Sequence, residues 1–249
     1  MSATLAIDGG TRVRQTPFPS WPVHDEREVR AVTRVVESGN WGGFPSPNVE
    51  AASFAEAFAS YHTARYGNCT SSGTTALEVA LKAAGVAPGD EVILPALTFV
   101  ATAAAALYMG AVPVFVDVDP ETWCLDPTEI EGALSDRTSA IVAVHLGSRM
   151  ADMDAIVALA GERGLRVIED CAHMHGGFWQ GRGAGSIGDL GAFSFQNTKL
   201  MTAGEGGIVI TRDEELDRRC HSYIDCGRLR PTDKPAEAQG VFGLNYRMT

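Results

Sequence analysis

One uncharged stretch, from Val92 to Val116, strongly limits the folds that are open to this chain. It is long enough to cross a bilayer as a single helix. However, Pro95, Gly110 and Pro113 divide it into a short apolar run, an alanine-rich run and a second short apolar run. Strands that are buried on both faces of a parallel sheet are apolar throughout. The stretch therefore predicts a strand, a helix and a parallel strand in a buried core rather than a membrane span.

The same alternation continues along most of the 249 residues. Strand-like runs recur at YGNCT, EVIL, VPVFVDV, SAIVAVHL, LRVIED, LGAFSF and GGIVIT, and helical patterns separate most of them. Repeated βα units form a mainly parallel sheet with helices on both faces. In such sheets, ligands bind at the carboxyl ends of the strands. We therefore look for the functional residues directly after the predicted strands.

Two helical patterns precede the first strand. In the first, Asp25 and Glu28 have the spacing of a capping box, and Gly39 can end the helix. One face of this helix is apolar and is formed by Val29, Val32, Val35 and Val36. The second helical pattern is NVEAASFAEAFASY, and a loop, WGGFPSP, separates the two.

Charge and cysteine content exclude several classes of function. The net charge is −11 and Lys and Arg do not cluster, which argues against a surface for nucleic acid or anionic membrane. The five cysteines include no CxxC pair and are typical of a reducing cytosol rather than a disulfide scaffold. The N-terminus MSATLAIDGG lacks the basic and apolar segments of a signal peptide. We expect a cytoplasmic protein that binds neither nucleic acid nor membrane.

Small polar residues follow the first strand in the order Ser71, Ser72, Gly73, Thr74 and Thr75, and a helix pattern begins there. Backbone N–H groups and the helix dipole favour an anion at such an N-terminus, and the hydroxyls add donors for a phosphate. Simple N-capping by a Ser or Thr is the alternative. The stretch contains neither a Walker A loop nor a GxGxxG fingerprint.

An acidic residue and a lysine follow two later strands. Asp170 ends the strand LRVIED, where a buried carboxylate needs a partner. His173 and His175 come next, and two histidines near an acid are one pattern of a metal site. No further cluster of metal-ligand residue types recurs, so we predict no metal. A turn that is capped by Asp170 is the other alternative. Lys199, one of three lysines, lies between LGAFSF and GEGGIVIT. A lysine held between buried strands is either paired or used chemically.

Three features together are the parts that a pyridoxal phosphate site requires: the helix N-terminus at Ser71 to Thr75, called the anion cup below, the carboxylate of Asp170 and the amine of Lys199. The lysine amine forms a Schiff base, the carboxylate keeps the pyridinium nitrogen protonated, and the helix N-terminus binds the phosphate. Phe99, in PALTFVAT after the strand EVIL, can stack on the cofactor ring, with core packing as the alternative.

Seven motifs stand in a fixed order: SSGTTALEVAL, GDEVILPALTFVAT, GAVPVFVDVD, ADMDAI, EDCAHMHG, GDLGAFSFQNTKLMTAGEGG and NYRM. In this order, over nearly the whole chain, they resemble the DegT/DnrJ/EryC1/StrS family of pyridoxal-phosphate-dependent aminotransferases of sugars and aminocyclitols. SFQNTKLMTAGEGG and MADMDAI are most similar to the branch that contains 3-amino-5-hydroxybenzoate synthases and cyclitol aminotransferases.

The resemblance implies an α/β fold, the large domain of fold-type I, with a mostly parallel sheet of seven strands between helices. We assign residues 1–40 to an N-terminal arm and first helix, and residues 41–249 to the cofactor-binding large domain. The family continues past NYRM into a smaller C-terminal domain that helps to close the active site, and we expect that domain to be absent from this chain.

By this resemblance, Lys199 bonds covalently to the cofactor, Asp170 pairs with the pyridinium nitrogen, and His173 lies near the ring hydroxyl. Some members replace the lysine with histidine and dehydrate sugars instead, and Lys199 argues against that activity. The residues expected around the phosphate are Ser72, Gly73, Thr74 and Ser194.

Asn245, in NYRM, is similar to an asparagine that reaches the phosphate of the neighbouring subunit, which implies a homodimer with shared sites. The implied reaction moves an amino group from glutamate or glutamine to a keto-sugar or keto-cyclitol. Two alternatives remain open at this point: a lyase or aromatising dehydratase that uses the same cofactor, and an inactive cofactor-binding partner or fragment.

Overall fold

The structure is a computed structural model that describes residues 4–42, 48–229 and 241–248. The helices are α1 (Glu26–Ser38), α2 (Val49–Tyr61), α3 (Gly73–Ala84), α4 (Val100–Tyr108), α5 (Pro127–Ala133), α6 (Met153–Arg163) and α7 (Glu214–Ile224). The strands are β1 (Tyr66–Thr70), β2 (Glu91–Pro95), β3 (Val112–Val116), β4 (Thr138–Val144), β5 (Arg166–Asp170), β6 (Phe178–Trp179), β7 (Arg182–Gly183), β8 (Leu190–Ser194) and β9 (Gly207–Thr211). Short 3-10 turns cover Ala6–Asp8 and Leu146–Ser148.

Seven strands form one sheet in the order β1-β9-β8-β5-β4-β2-β3. β3, β2, β4, β5 and β8 are parallel to one another, and β9 is antiparallel to both of its neighbours. Strands β6 and β7 form a separate two-stranded hairpin. The prediction of a mostly parallel, seven-stranded α/β sheet is confirmed.

The uncharged stretch becomes β2, α4 and β3, as predicted. Successive residues of β4 show why these strands are uniformly apolar: Val142 packs in the core layer that contains α3, and Ile141 packs in the layer that contains α6. Both faces of the sheet are therefore covered, so the residues of β2, β4 and β5 beyond the first residues of β4 and β5 are buried. Across the described ranges, none of the helices combines the length and the apolar character that crossing a bilayer demands.

Helix α1 has the predicted capping box of Asp25 and Glu28 and ends at Gly39, whose φ is +64°. Its apolar face nevertheless stays open, because Val29, Val32 and Val36 are 53%, 64% and 56% exposed in the part of the chain that the structure describes. An ion pair of 2.9 Å between Arg34 and Glu50 joins this helix to α2. An amphipathic pattern identifies a helix, but burial of its apolar face also needs a partner surface.

The topology collects the predicted site at one edge of the sheet. Because β1, β5 and β8 run in the same direction, their last residues Thr70, Asp170 and Ser194 lie at the same edge, and β9 begins there with Gly207. The loop from β8 to β9 contains Lys199. Three segments that are far apart in sequence therefore come together at this edge.

Candidate active site

The first element of the site is the N-terminus of α3. The Ser72 Oγ accepts a hydrogen bond from the Thr75 N–H at 3.1 Å, and the Thr75 hydroxyl accepts one from the Ser72 N–H at 3.0 Å. The capping alternative from the sequence is therefore real, but it does not occupy the cup. Gly73 and Thr74 fill the first two helical positions, where backbone N–H groups have no partner within the helix.

Close packing of backbone forms the cup wall. A Cβ atom on Gly73 would lie 2.5 Å from the Cβ of Ser194, and one on Gly207 would lie 2.3 Å from the Ser72 carbonyl oxygen. Only glycine permits these approaches. Ser194 is buried at this contact. The start of α3, the end of β8 and the start of β9 thus pack closely together beside the N–H groups of Gly73 and Thr74, and a helix N-terminus of this kind can bind an anion.

Asp170 is 5% exposed at the end of β5. One carboxylate oxygen accepts the Thr102 hydroxyl at 2.7 Å, and the other accepts the Ala172 N–H at 3.1 Å. Because the Thr102 hydrogen is given to the carboxylate, the Thr98 hydroxyl, 2.8 Å from the Thr102 oxygen, donates in turn. This relay orients the Asp170 carboxylate. The sequence analysis missed Thr98 and Thr102; their separation of four residues around the start of α4 was the available signal.

Lys199 is half-buried in the loop between β8 and β9. Burial lowers the pKa of its amine, and the negative charge of Asp170 opposes that shift, so the two groups interact electrostatically. A lysine with a lowered pKa holds more of the neutral, nucleophilic amine. The structure thus brings Lys199 and Asp170 into one electrostatic environment.

His173 is half-buried close to both of these groups. Burial lowers the pKa of its imidazole, the charge of Lys199 lowers it further, and Asp170 opposes the shift. The Gly147 N–H points at its Nδ1 at 3.5 Å, and the Ser148 hydroxyl donates to its carbonyl at 3.2 Å. With Nδ1 facing a donor, the neutral ring carries its proton on Nε2.

Phe99 lies at the N-terminus of α4, on the loop that follows β2. Its ring is 67% exposed, so the core-packing alternative from the sequence is wrong. A second aromatic residue, Trp21, donates from its indole N–H to the Asn197 carbonyl at 2.7 Å. The N-terminal arm therefore contacts the loop that carries Lys199, a contact that no local pattern indicated.

Asn245 lies in the segment of residues 241–248, and this segment returns to the cup. The Ser71 N–H donates to the Tyr246 carbonyl at 2.9 Å, and the Tyr246 hydroxyl donates to Glu78 on α3 at 2.6 Å. Burial and the Glu78 carboxylate raise the pKa of Tyr246 to about 12. Asn245 itself is exposed. The NYRM motif is thus adjacent in space to a cup that begins some 170 residues earlier in the chain.

Behind Asp170 lies a buried ionic network that the sequence analysis did not find. Both oxygens of Glu169 are engaged, by His145 at 2.9 Å and by the N–H groups of Gly185, Ile187 and Gly188 at 2.7–2.8 Å. Burial by itself raises the pKa of the Glu169 carboxyl, but these hydrogen bonds hold it below its ordinary value.

The possible metal-binding groups of the described segments converge at this network and not at His173 and His175. Potential ligand atoms of His145, Glu169 and Cys171 lie within 4.8 Å of one another. The His145 Nδ1, however, accepts the Ala151 N–H at 3.2 Å while its Nε2 donates to Glu169. Both nitrogens and both carboxylate oxygens are already used, so the network is a structural support for the end of β5.

We expect Glu169→Gln to lower the free energy of unfolding by about 1–3 kcal/mol, because a neutral amide cannot accept on both sides and turns a donor toward existing donors. Because the pKa of Glu169 is lower in the folded than in the unfolded protein, the ionised carboxylate stabilises the fold at pH values above the unfolded-state pKa. That stabilisation is lost as the pH falls through the folded-state pKa. The difference between wild type and variant should therefore shrink from neutral pH to about pH 4. Denaturant unfolding at both pH values measures it.

Glu162→Gln, at an exposed position of α6, is the matched control and should leave stability unchanged. A Glu169→Gln variant that is as stable as wild type at neutral pH would contradict the supporting role of this network.

The fold and the site define a class of protein: an α/β domain whose lysine, buried carboxylate and anion cup meet at the carboxyl edge of a mainly parallel sheet. The DegT/DnrJ/EryC1/StrS aminotransferase family matches residues 22–249. The chain belongs to this family.

Two relatives illustrate the similarity. The chain is 47% identical over 249 residues to a Streptoalloteichus tenebrarius protein with the provisional name L-glutamine:3-amino-2,3-dideoxy-scyllo-inosose aminotransferase, covering 100% of this chain and 60% of the relative. It is 44% identical over 242 residues to the L-glutamine:2-deoxy-scyllo-inosose aminotransferase of Streptomyces lividus, covering 96% of this chain and 57% of the relative.

Among solved structures, a 3-amino-5-hydroxybenzoic acid synthase is similar with a TM-score of 0.86 and 41% identity, over 93% of this chain and 60% of the other. The chain therefore spans about three fifths of the length of the proteins that it matches.

Proposed function

We propose that the protein is a pyridoxal-phosphate-dependent aminotransferase that moves an amino group from L-glutamine to a keto-cyclitol. The observation that carries the proposal is the half-buried Lys199, with a lowered pKa, in the field of the buried Asp170 beside the cup at Gly73. Relatives that carry names of this reaction support the donor and the class of acceptor. Glutamate is the alternative donor.

The residues present fit the cofactor. The start of α3 at Gly73 and Thr74 offers backbone N–H donors without a partner in the helix, and Ser72 and the buried Ser194 lie beside them, so these residues fit a phosphate. Asp170, oriented by Thr102, is the partner for the pyridinium nitrogen. When bound, the cofactor supplies the electron sink for the reaction.

The remaining groups complete the proposed site. Lys199 holds the cofactor covalently, and the exposed ring of Phe99 is available to cover one face of it. His173, whose Nε2 carries the proton, is the donor for the ring hydroxyl. The Lys199 amine would act as the general base and acid that moves a proton to and from the α-carbon of the amino donor.

A spectroscopic half-reaction tests the function. Protein loaded with pyridoxal phosphate and given L-glutamine alone should lose the absorbance of the lysine-bound cofactor and accumulate pyridoxamine phosphate. Addition of a keto-cyclitol should restore the starting spectrum and release an aminocyclitol. A loaded protein whose spectrum is inert to L-glutamine and to L-glutamate would contradict the proposal.

The second candidate is a dehydratase that aromatises its substrate, and the similarity to the solved 3-amino-5-hydroxybenzoic acid synthase favours it. Such a reaction needs no amino donor. Product formation from a cyclic keto acid in the absence of glutamine, with no change of the cofactor to its amine form, would replace the first candidate by the second.

The proposal includes a two-fold dimer in which Asn245 serves the phosphate of the other subunit. Tyr246 and Arg247 bind within their own chain, to Glu78 and to Asp225, whereas the side chain of Asn245 is exposed and available to a second chain. Interfaces of this kind repeat the same contact twice, so each subunit would complete the site of its partner.

Mixing two inactive variants tests this arrangement. If Asn245 acts across the interface, a heterodimer of Lys199→Ala and Asn245→Ala contains one site with both lesions and one intact site. Random subunit exchange should then restore about a quarter of the wild-type activity. The control is a mixture of the Lys199→Ala and Asp170→Asn variants. Both of these residues serve the site of their own chain, so each site of the heterodimer carries one substitution and neither site is intact. No recovery in the first mixture, or full activity in a strict monomer, would contradict it.

A further inference from the structure

The side chain of His175 replaces a missing rung, that is, a missing backbone hydrogen bond, in the ladder between β5 and β8. The last backbone rung that joins these strands runs from the Cys171 N–H to the Ala192 carbonyl, at 2.8 Å. Along a strand, carbonyls two residues apart point to the same side, so the Ser194 carbonyl is the next acceptor. The chain after Cys171 has turned away, and the His175 Nε2 donates to the Ser194 carbonyl instead, at 2.8 Å.

The residue held in this way is the one that closes the cup. The buried Ser194 packs against Gly73 so tightly that an added Cβ would approach to 2.5 Å. The Gln196 N–H points back at the Ser194 hydroxyl at 3.4 Å, at the start of the loop that leads to Lys199. A shift of the Ser194 backbone would therefore alter the cup wall.

The surroundings admit only one form of the His175 ring. A carbonyl accepts from Nε2, so that nitrogen carries the hydrogen, while Nδ1 is buried and has no hydrogen-bond partner within the described segments. Phe193 and Phe195 flank the ring, each with its centroid at 5.8 Å. Burial lowers the pKa of His175, the hydrogen bond to Ser194 opposes this, and Lys199 and His173 lower the pKa further. His175 also interacts electrostatically with His62, and this interaction contributes to the lowered pKa of His62.

We propose that His175 is a positioning residue for phosphate recognition: its neutral ring, with the hydrogen on Nε2, supplies the missing rung between β5 and β8 and so holds Ser194 against the start of α3. This inference rests on the proposed function. It assigns to His175 no contact with the cofactor and no part in proton transfer.

The test compares pyridoxal 5′-phosphate with pyridoxal, which lacks the phosphate, as ligands of the full chain. His175→Phe keeps the ring between Phe193 and Phe195 but removes the donor. Its affinity for pyridoxal 5′-phosphate should fall about tenfold, the effect of one well-placed hydrogen bond, while its affinity for pyridoxal stays at the wild-type value. His175→Gln can still donate from its amide and should recover most of the loss. Equilibrium titration of cofactor absorbance gives both affinities.

His24→Phe, at an exposed histidine of the N-terminal arm, is the matched control and should leave both affinities unchanged. An unchanged ratio of the two affinities in His175→Phe overturns the inference and leaves the proposed function intact. An equal loss for both ligands also overturns it, because that result indicates general damage. A wild-type protein that does not bind pyridoxal 5′-phosphate through Lys199 overturns the proposed function and the inference with it.

Discussion

Lys199→Ala is expected to abolish the absorbance of the lysine-bound cofactor and the half-reaction with L-glutamine. The half-buried amine at this position has a lowered pKa, and no other described lysine lies at the carboxyl edge of the sheet. Alanine removes both the covalent attachment and the base that moves the proton. Ultraviolet–visible spectra before and after addition of L-glutamine give both results.

Cofactor binding separates this loss from misfolding. The cup at Gly73 is intact in the variant, so pyridoxal phosphate should remain bound without covalent attachment, as measured by retention on dialysis. Lys82→Ala removes a lysine from the last turn of α3, about 14 Å along the helix from the cup, and should behave as wild type. Full transamination by Lys199→Ala would refute the assignment of this lysine.

Asp170→Asn is expected to reduce the rate on the order of a hundredfold or more, at least about 3 kcal/mol in the barrier. The amide can still accept the Ala172 N–H, so the turn after β5 should survive. It carries no negative charge, however, and cannot keep a proton on the ring nitrogen. Single-turnover kinetics of the half-reaction with L-glutamine measure the loss at the chemical step.

A capping role is the competing explanation for Asp170, and a second aspartate provides the comparison. Asp126 caps α5 through the Thr128 N–H, and Asn is an equally good cap, so Asp126→Asn should leave both stability and rate unchanged. A near wild-type rate in Asp170→Asn would mean that Asp170 also acts only as a cap. Equal thermal stability of both variants, together with a slow Asp170→Asn, supports the chemical role.

Local patterns predicted most of the fold because the elements themselves are local. The uncharged stretch resolved into β2, α4 and β3, with Pro95 as the last residue of β2 and Gly110, whose φ is +77°, between α4 and β3. Pro113 lies inside β3, which is the outermost strand of the sheet and therefore tolerates proline. The apolar face of α1 shows the limit of such reasoning. Its periodicity was correct, but Val32 remains 64% exposed because nothing in the described chain covers it.

The candidate site divides in the same way. Asp170 and Lys199 could be found from sequence because each follows a recognisable strand, and parallel strands bring their carboxyl ends to one edge. Thr102 could not be assigned as the partner of Asp170, because their side chains meet across 68 residues. The contact of Trp21 with Asn197 spans 176 residues and has no periodic signal at either end.

The amino-acid sequence by itself determined the alternation of strands and helices, the capped start of α3, and the set of chemical groups that a lysine-bound cofactor needs. These depend on backbone preference, on side-chain period and on residue identity, which act over a few neighbouring positions. Only the tertiary structure decided which groups touch. The placement of Ser194 against Gly73, the hydrogen bond from His175 and the orientation of Asp170 by Thr102 each depend on the strand order β1-β9-β8-β5-β4-β2-β3. That order is set by the packing of the whole core, and no short segment of the chain contains it.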